Sequence, residues 1–533
     1  MMSDTAPEPA IYKIRAVVDQ DALERLGELL ALKVQRGWLI TLRGDLGAGK
    51  TTFARALIRA VLGNPDADVP SPTFALVQNY AGERLAVHHY DLYRLADAQE
   101  LDELGLDDAL DDGAVLMEWP DRAGAHLPAD RIDVMLSERP DQPDYRDVTL
   151  LAYSRVTATA LRRIDAIAAL LSQYSASTGA EVAAVCYLQG DASARTYARL
   201  QTTTGQSSII MDSPAMPDGP PIRDGKPYSR IAHLAESIRP FVAIAHVLKA
   251  AGFSVPHVLA EDITNGILVL EDLGDRVFGR EIARDCGPAQ AALWQLAVEA
   301  LVALRVADPA TQIRLPSGLT HQIPAFDAAA MAIEVELLLD WYWPAAFGQP
   351  APPAVREAFD AAWAPIFARL SDSASGWILR DYHSPNLMYL PDRDGIAQVG
   401  IIDFQDALRG HWAYDLVSLL QDARVDVPSD LERDAYRHYC ARLAQRIGDF
   451  DTDDLQFAYA AFGAQRATKI IGIFVRLAVR DSKPAYLAHL PRLWRYLASN
   501  LRHPELAPVR HWFDAHIHDD ARTLKTVQSQ LQR

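Results

Sequence analysis

"LRGDLGAGKTTF" (residues 42–53) sets Gly44, Gly49, Lys50 and Thr51 in the spacing G-x-x-x-x-G-K-[ST]. Glycines let successive backbone N–H groups converge on an anion, and a helix that starts directly after them adds the partial positive charge of its N-terminus. The flanks supply that context. "GWLITL" (37–42) reads as a short apolar strand, and "KTTFARALIRAVL" (50–62) as an amphipathic helix. The loop Gly44, Asp45, Leu46, Gly47, Ala48, Gly49, Lys50, Thr51 and Thr52 is therefore expected to cradle the phosphates of ATP, with Lys50 reaching the terminal ones and the Thr51 hydroxyl on Mg²⁺. Such a site also needs a carboxylate at the end of another strand. Asp91 in "HHYDLYRL" and Glu118 in "VLMEWP" are the candidates for metal or water-positioning groups. His88 and His89 stand just before Asp91, but adjacent strand residues face opposite ways, so strand-end packing is expected of them rather than a shared metal.

A second phosphate-handling pattern of a different kind lies in "LRDYHSPNLMYLPDRDGIAQVGIIDFQDA" (379–407). Asp381 stands five residues before Asn386, and Asp403 follows a short hairpin. Kinases of the protein-kinase-like fold need this set: an Asp to position and deprotonate the attacking hydroxyl, an Asn on Mg²⁺, and an Asp at a strand end bridging the metals. "LQGDASARTYARL" offers a small-residue turn between two strands to cover phosphates, with Asp191, Ser193 and Arg195 at its tip. "LVLEDLG" fits a hinge strand whose backbone around Glu271 to Leu273 would meet adenine. The third strand of such a lobe usually carries a phosphate-binding Lys. "SSIIMDSPAMP" has none, which leaves Arg195 or Arg199 as substitutes.

The chain of 533 residues is too long for one ordinary core, and its length suggests about three compact units. Hydrophobic residues at 49% and charged residues at 23% fit a globular protein. A net charge of -18 argues against a broad sequence-independent grip on nucleic acid. Cys186, Cys286 and Cys440 are far apart and in no metal-binding spacing, as expected of unpaired thiols in a reducing cytosol. Neither a signal peptide nor a membrane-length apolar run is read, so a cytoplasmic protein without a membrane partner is expected. "RIDVMLSE" and "YRDVTLLAYS" read as a hairpin closing the first domain at about residue 158, and "TALRRIDAIAALLSQY" as a helix opening the next. "SPAMPDGPPIRDGKPYS" (213–229) is a proline-rich loop and a candidate for part of an acceptor wall.

In their order and spacing, "GDLGAGKTTF", "VPSPTFALVQNY", "HHYDLYRL", "ELGLDD" and "LMEWPDR" resemble the TsaE family, ATPases of bacterial tRNA threonylcarbamoyladenosine synthesis. The resemblance implies a P-loop NTPase domain over 1–158 that acts on TsaB- and TsaD-type partners and meets tRNA only through them. It makes Glu118 a metal or catalytic carboxylate with Asp91 nearby, and Ser71, Pro72, Thr73 and Phe74 a switch-like loop. The second half is similar to the aminoglycoside phosphotransferase (APH/choline-kinase-like) family. That implies an α/β chain with a two-lobed protein-kinase-like domain over 159–533, its N-lobe over about 159–275 and its C-lobe over about 276–533. The family more often has His where this chain has Leu379. Within it, "MDSP", "LEDLGD", "DYHSPNLM" and "YDLVSLLQDAR" resemble the AmgK group, anomeric kinases of N-acetylmuramate and N-acetylglucosamine in cell-wall recycling. On this likeness Asp415 braces the catalytic loop and the acceptor is an amino sugar, while Trp412 and Tyr414 beside it are read as core rather than as a sugar platform. An aminoglycoside or choline-type kinase, or an idle module regulating the ATPase, are the alternatives.

Overall fold

The computed structural model describes residues 9–523, apart from 96, 98, 99, 189–194, 285–287, 316, 374, 375 and 449, together with residue 527. Its contacts divide the chain into two compact units, where length suggested about three: Met1–Pro214 with Val258–Asp272, and Ala215–His257 with Leu273–Arg533.

In the first unit β1 (Tyr12–Val18), β2 (Leu39–Arg43), β3 (Val77–Tyr80), β4 (Val87–Asp91), β5 (Ala114–Glu118), β6 (Ile132–Glu138) and β7 (Arg146–Ala152) form one sheet. Their order is β1-β7-β6-β2-β5-β4-β3. β6, β2, β5 and β4 run parallel, flanked by antiparallel β7, β1 and β3. Central parallel strands are covered on both faces, which is why β2 and β5 read as unbroken apolar runs. Alternation then sorts their side chains. Ile40, Leu42 and Leu116 join one core, with Phe53 and Leu57 of helix α2 (Lys50–Leu62) and Leu30 of helix α1 (Gln20–Ala31). Leu39, Val115 and Met117 join the opposite one with Leu101 and Leu106.

Helix α3 (Arg155–Thr178) starts in a capping box made by Ser154 and Thr157. It buries Leu161, Ile164, Ile167, Leu171 and Tyr174 and packs on β1 and β7. The same helix meets a second, antiparallel sheet made of β8 (Val182–Leu188), β9 (Thr196–Thr202), β10 (Ser207–Asp212), β11 (Val258–Asp262) and β12 (Ile267–Glu271). The order there is β11-β12-β10-β9-β8. Val185, Ala198, Leu200, Ile210 and Val269 of this sheet lie in the same core cluster as Leu30, Phe53 and Ile164. The helix read as the opening of a second domain thus shares one core with both sheets.

Two polar ties reinforce this junction. Asp212, buried at the end of β10, pairs with Lys33 and Arg163. Glu28 of α1 accepts a hydrogen bond from the Val185 N–H on edge strand β8 at 2.8 Å. Burial pushes the Glu28 carboxyl up to about 7, against the opposing pull of that N–H.

The second unit is mainly helical. The region that carries Asp381, Asn386 and Asp403 hangs on two short antiparallel pairs, Gly376–Ile378 with Leu408–Gly410 and Leu387–Tyr389 with Val399–Ile401. One helix, Pro288–Ala307, departs from the expectation that no segment has membrane length: Gln290–Ala307 is apolar and long enough, with mean hydropathy 1.3. It packs on helix Ser429–Ile447, and its Glu299 pairs with His438 and Arg442 at 2.7 Å, so it serves as a core helix of this unit.

A carboxyl with a raised folded-state pKa favours folding below its ordinary value, and that contribution is lost as pH rises through the folded value, here from about 4.5 to about 7. Glu28→Gln keeps an acceptor for Val185 but never ionises. Its melting temperature is expected to stay within about 2 °C of wild type at pH 5 and to exceed it by about 7–10 °C at pH 8. Thermal melts at the two pH values check this, and an equal offset at both would contradict it.

Candidate functional sites

Residues 44–49 turn the chain from β2 into α2. Gly44, Gly47 and Gly49 have φ of +146°, +86° and +104°, and a Cβ on Gly44 would fall 2.4 Å from the Leu136 carbonyl oxygen. Lys50 Nζ donates to the carbonyls of Gly44 and Asp45, both at 2.8 Å, and stands 3.9 Å over the Trp119 ring. Burial lowers its pKa, against the nearby carboxylates Glu118, Asp91 and Asp45. Asp91 and Glu118 are register partners on β4 and β5, so they end side by side, 3% and 2% exposed. Thr51 Oγ1 donates to Glu118 Oε1 at 3.1 Å. Asp91 Oδ2 accepts from Ser71 Oγ at 2.5 Å and from Thr73 Oγ1 at 3.2 Å, which ties the Ser71–Phe74 loop to the site.

Among the described residues no group of three or more His, Cys, Asp or Glu side chains could cage a metal. A hydroxyl and two carboxylates form the sparse, hard donor set that Mg²⁺ takes together with phosphate oxygens, so these residues fit that ion. His88 turns to Asn79 at 2.8 Å and Asp112 at 3.1 Å, whereas His89 Nε2 lies 3.1 Å from Glu118 Oε1. The opposite facing is as expected. The contact of His89 with Glu118 goes beyond strand-end packing; its signal was the two-residue spacing that puts His89 on the face of Asp91.

In the second unit, Asp415 holds the start of the other loop. Its carboxylate accepts the N–H groups of Leu379 at 2.6 Å and Arg380 at 2.9 Å. Burial pushes Asp415 up to about 7, and those N–H groups oppose it. Arg380 and Asp403 adopt φ of +70° and +61°, a left-handed backbone that costs a non-glycine residue about 1–3 kcal/mol and collects at functional sites. Asn386 Nδ2 donates to the Asp381 carbonyl at 3.1 Å and lies 3.4 Å from Asp403 Oδ2. Asp381, Asn386 and Asp403 are therefore brought together, and the two metal candidates supply hard oxygen donors that suit Mg²⁺.

Behind this loop lies a cluster that sequence reasoning missed. Glu334, fully buried on helix Ala328–Val335, pairs with Arg380 and, at 2.7 Å, with Lys469, and accepts from Gln465 at 2.8 Å. Arg466 donates to the Arg380 carbonyl at 3.0 Å. Burial would raise Glu334, but Lys469 and Arg380 outweigh it and hold the carboxyl at about 2. Burial would likewise raise Asp381. There His383, Lys469, Arg466 and Arg380 together prevail and keep it below the usual carboxylate range, so it is ionised at neutral pH. The available signal was Gln465, Arg466 and Lys469 interrupting the apolar helix Thr452–Arg480 at helical spacing.

Asp191 and Ser193 lie outside the described residues. Arg195 directly precedes β9, and Arg199 on β9 forms a forked pair with Asp272, at 2.6 and 3.3 Å. Glu271 closes β12 in the first unit, whereas Leu273 belongs to the second. Trp412 and Tyr414 are buried core residues, as expected.

Glu334→Gln would leave Arg380 and Lys469 buried without their counter-charge. The expected cost to the stability of the second unit is about 3–5 kcal/mol, read by chemical denaturation of the full chain. A loss below about 1 kcal/mol would show that the cluster tolerates a neutral centre.

Comparisons with known proteins divide the chain in the same way as its two phosphate motifs. Residues 17–147 match the family model "Threonylcarbamoyl adenosine biosynthesis protein TsaE", and residues 185–455 match "Phosphotransferase enzyme family". The chain is 38% identical over 339 residues to an N-acetylmuramate/N-acetylglucosamine kinase of Caulobacter vibrioides, which covers 62% of this chain and 91% of that protein. It is 34% identical over 327 residues to the kinase of the same name from Pseudomonas aeruginosa, covering 60% of this chain and 84% of the relative. It is also 33% identical over 146 residues to the tRNA threonylcarbamoyladenosine biosynthesis protein TsaE of Haemophilus influenzae, covering 26% of this chain and 89% of that protein. This chain is an enzyme that belongs to two families at once, TsaE through its first part and the phosphotransferase enzyme family through the larger second part.

Proposed function

We propose that the chain is a bifunctional enzyme. Its module over 1–158 hydrolyses ATP in the service of TsaB- and TsaD-type partners that modify tRNA. Its module over 159–533, with lobes at about 159–275 and 276–533, transfers the γ-phosphoryl group of ATP to the C1 hydroxyl of N-acetylmuramate or N-acetylglucosamine. The observation that carries the kinase reading is the joint placement of Asp381, Asn386 and Asp403 on a loop braced by Asp415. An idle regulatory module would have no need of an Asp381 held ionised by four cationic or polar neighbours. The acceptor reading rests on the two kinase relatives, and the tRNA role on the TsaE relative.

The Asp381 carboxylate orients the C1 hydroxyl and takes its proton as that oxygen bonds to the γ-phosphorus. The bond from the γ-phosphorus to the bridging oxygen breaks, and ADP leaves. A hemiacetal hydroxyl is more acidic than an ordinary alcohol, so a carboxylate of low pKa suffices as base through positioning. Asn386 and Asp403 would hold Mg²⁺, which when bound supplies charge neutralisation for the transferring group. In the first module Lys50 would reach the terminal phosphates, with Thr51, Asp91 and Glu118 around the ion. Both halves take ATP and Mg²⁺ in this reading, and the protein works in the cytoplasm.

Asp381→Asn is expected to lower sugar phosphorylation by about 10²–10⁴-fold and to spare ATP hydrolysis stimulated by the TsaB and TsaD partners. Lys50→Ala is expected to do the reverse. Phosphorus NMR of the product places the phosphate. Transfer to C6, or only to aminoglycosides or choline, would overturn the acceptor assignment.

A further inference from the structure

β8 ends the antiparallel sheet, with β9 beside it, and its outer edge is met by the ATPase module. Glu28 of α1 accepts the Val185 N–H, and the Arg84 guanidinium stacks 4.7 Å over the Tyr187 ring. Arg84 also donates to the carbonyls of Ala31 at 2.5 Å and Val34 at 3.2 Å, so it satisfies the C-terminal end of α1 while it holds β8. An edge strand left open is a template for stray pairing, and α1 covers this one. The helix is itself closely seated. A Cβ on Gly27 would fall 3.0 Å from the Phe53 carbonyl oxygen of α2, the helix that starts at the phosphate loop.

Lys33, just past the end of α1, reaches further in. Its ammonium pairs with Asp212 and donates to Thr196 Oγ1 at 3.4 Å. Thr196 and Asp212 are register partners, the terminal pair of β9 and β10, so one side chain of the ATPase module fixes the ends of both strands. Asp212 is 2% exposed and keeps Arg163 as a second cation, so removing Lys33 does not strand a buried charge. Alternation carries the constraint through the sheet. Ala198 and Leu200 of β9 point into the core shared with α1 and α2, which sets Arg199 on the opposite face, in its forked pair with Asp272. In kinases of this fold a Lys on the third strand meets the phosphates of ATP. β10 has no Lys, and Arg199 on the neighbouring strand is a substitute.

We propose that the ATPase module is a working part of the kinase, in which Lys33 and Arg84 are positioning residues that hold β8, β9 and β10 in the arrangement that receives ATP. This inference rests on the kinase reading and adds that its nucleotide-binding strands are set by residues outside the phosphotransferase match at 185–455. The test is steady-state kinetics of the full chain, as wild type, Lys33→Ala, Lys33→Arg and Tyr187→Leu, with N-acetylmuramate and N-acetylglucosamine as acceptors. ATP hydrolysis without sugar, stimulated by TsaB and TsaD, is the internal control, because it reports the fold of the same compact unit. Lys33→Ala should raise KM for ATP in sugar phosphorylation about five- to tenfold, with kcat and the sugar KM held within about twofold. Lys33→Arg keeps the cation and should restore that KM, and hydrolysis should be unchanged in both variants. An unchanged KM for ATP, or a fall in kcat alone, would overturn the proposal. If Lys33→Ala loses both activities together, Tyr187→Leu decides, since it removes the Arg84 stack and keeps an apolar side chain. A KM for ATP raised about threefold with hydrolysis intact supports the proposal, and an unchanged one overturns it. A wild type that phosphorylates neither sugar would overturn both this inference and the reading beneath it.

Discussion

One helix with too much apolar circumference for a single partner governs the architecture. α3 presents Leu161, Ile164, Ile167, Leu171 and Tyr174 to a core fed by a parallel sheet from one side and an antiparallel sheet from the other. α3 covers β1 and β7 of the first sheet and β11 and β12 of the second, and at about 25 cal/mol per Å² of buried apolar surface this shared cover stabilises both. The boundary between two chemistries therefore falls inside a hydrophobic core and not in a linker. Polar groups at the seam, half-buried Glu28 and buried Asp212, add directional ties to these apolar contacts.

The two sites solve the same electrostatic problem by different means. At the first, polyanionic phosphates are to be met by backbone N–H groups, one Lys and a helix N-terminus, with carboxylates kept at strand ends a short way off. At the second, the enclosed Asp381 is kept ionised by His383 and by the buried cations Lys469, Arg466 and Arg380, of which Lys469 and Arg380 are anchored on Glu334. The first arrangement depends on glycines that allow a backbone path, and the second on side chains from helices distant in sequence.

That difference decides how much the sequence could disclose. The loop at 44–51, the strand-end carboxylates Asp91 and Glu118, and the set Asp381, Asn386 and Asp403 were legible because each is local: a fixed spacing between recognisable breaks in hydrophobic pattern. The hairpin of β6 and β7 and the apolar β2 were legible for the same reason. β1 and β11, by contrast, carry no strong turn signals, and they gain their identity only from pairing with β7 and β12. Glu334 with Lys469 and the seam at Glu28 are both non-local. A single chain without its fold gives no reason to set residue 334 beside 469. The double burial of α3 was hidden too, since amphipathic spacing tells which face is apolar and not how many neighbours will claim it.

The first unit is also discontinuous, resuming at Val258 after leaving at Pro214. In the antiparallel sheet β10 lies between β9 and β12, so its outer edge has no neighbour until residues 267–271 have been made. On a ribosome adding about 5–20 residues per second, the intervening stretch keeps that edge, with Ile210 on it, open for several seconds. An unpaired strand edge is a template for pairing with another chain. Nascent chains of this protein thus pass through an interval in which neighbours on the same messenger can exchange strands, and the pace of translation across 215–272 sets how long it lasts.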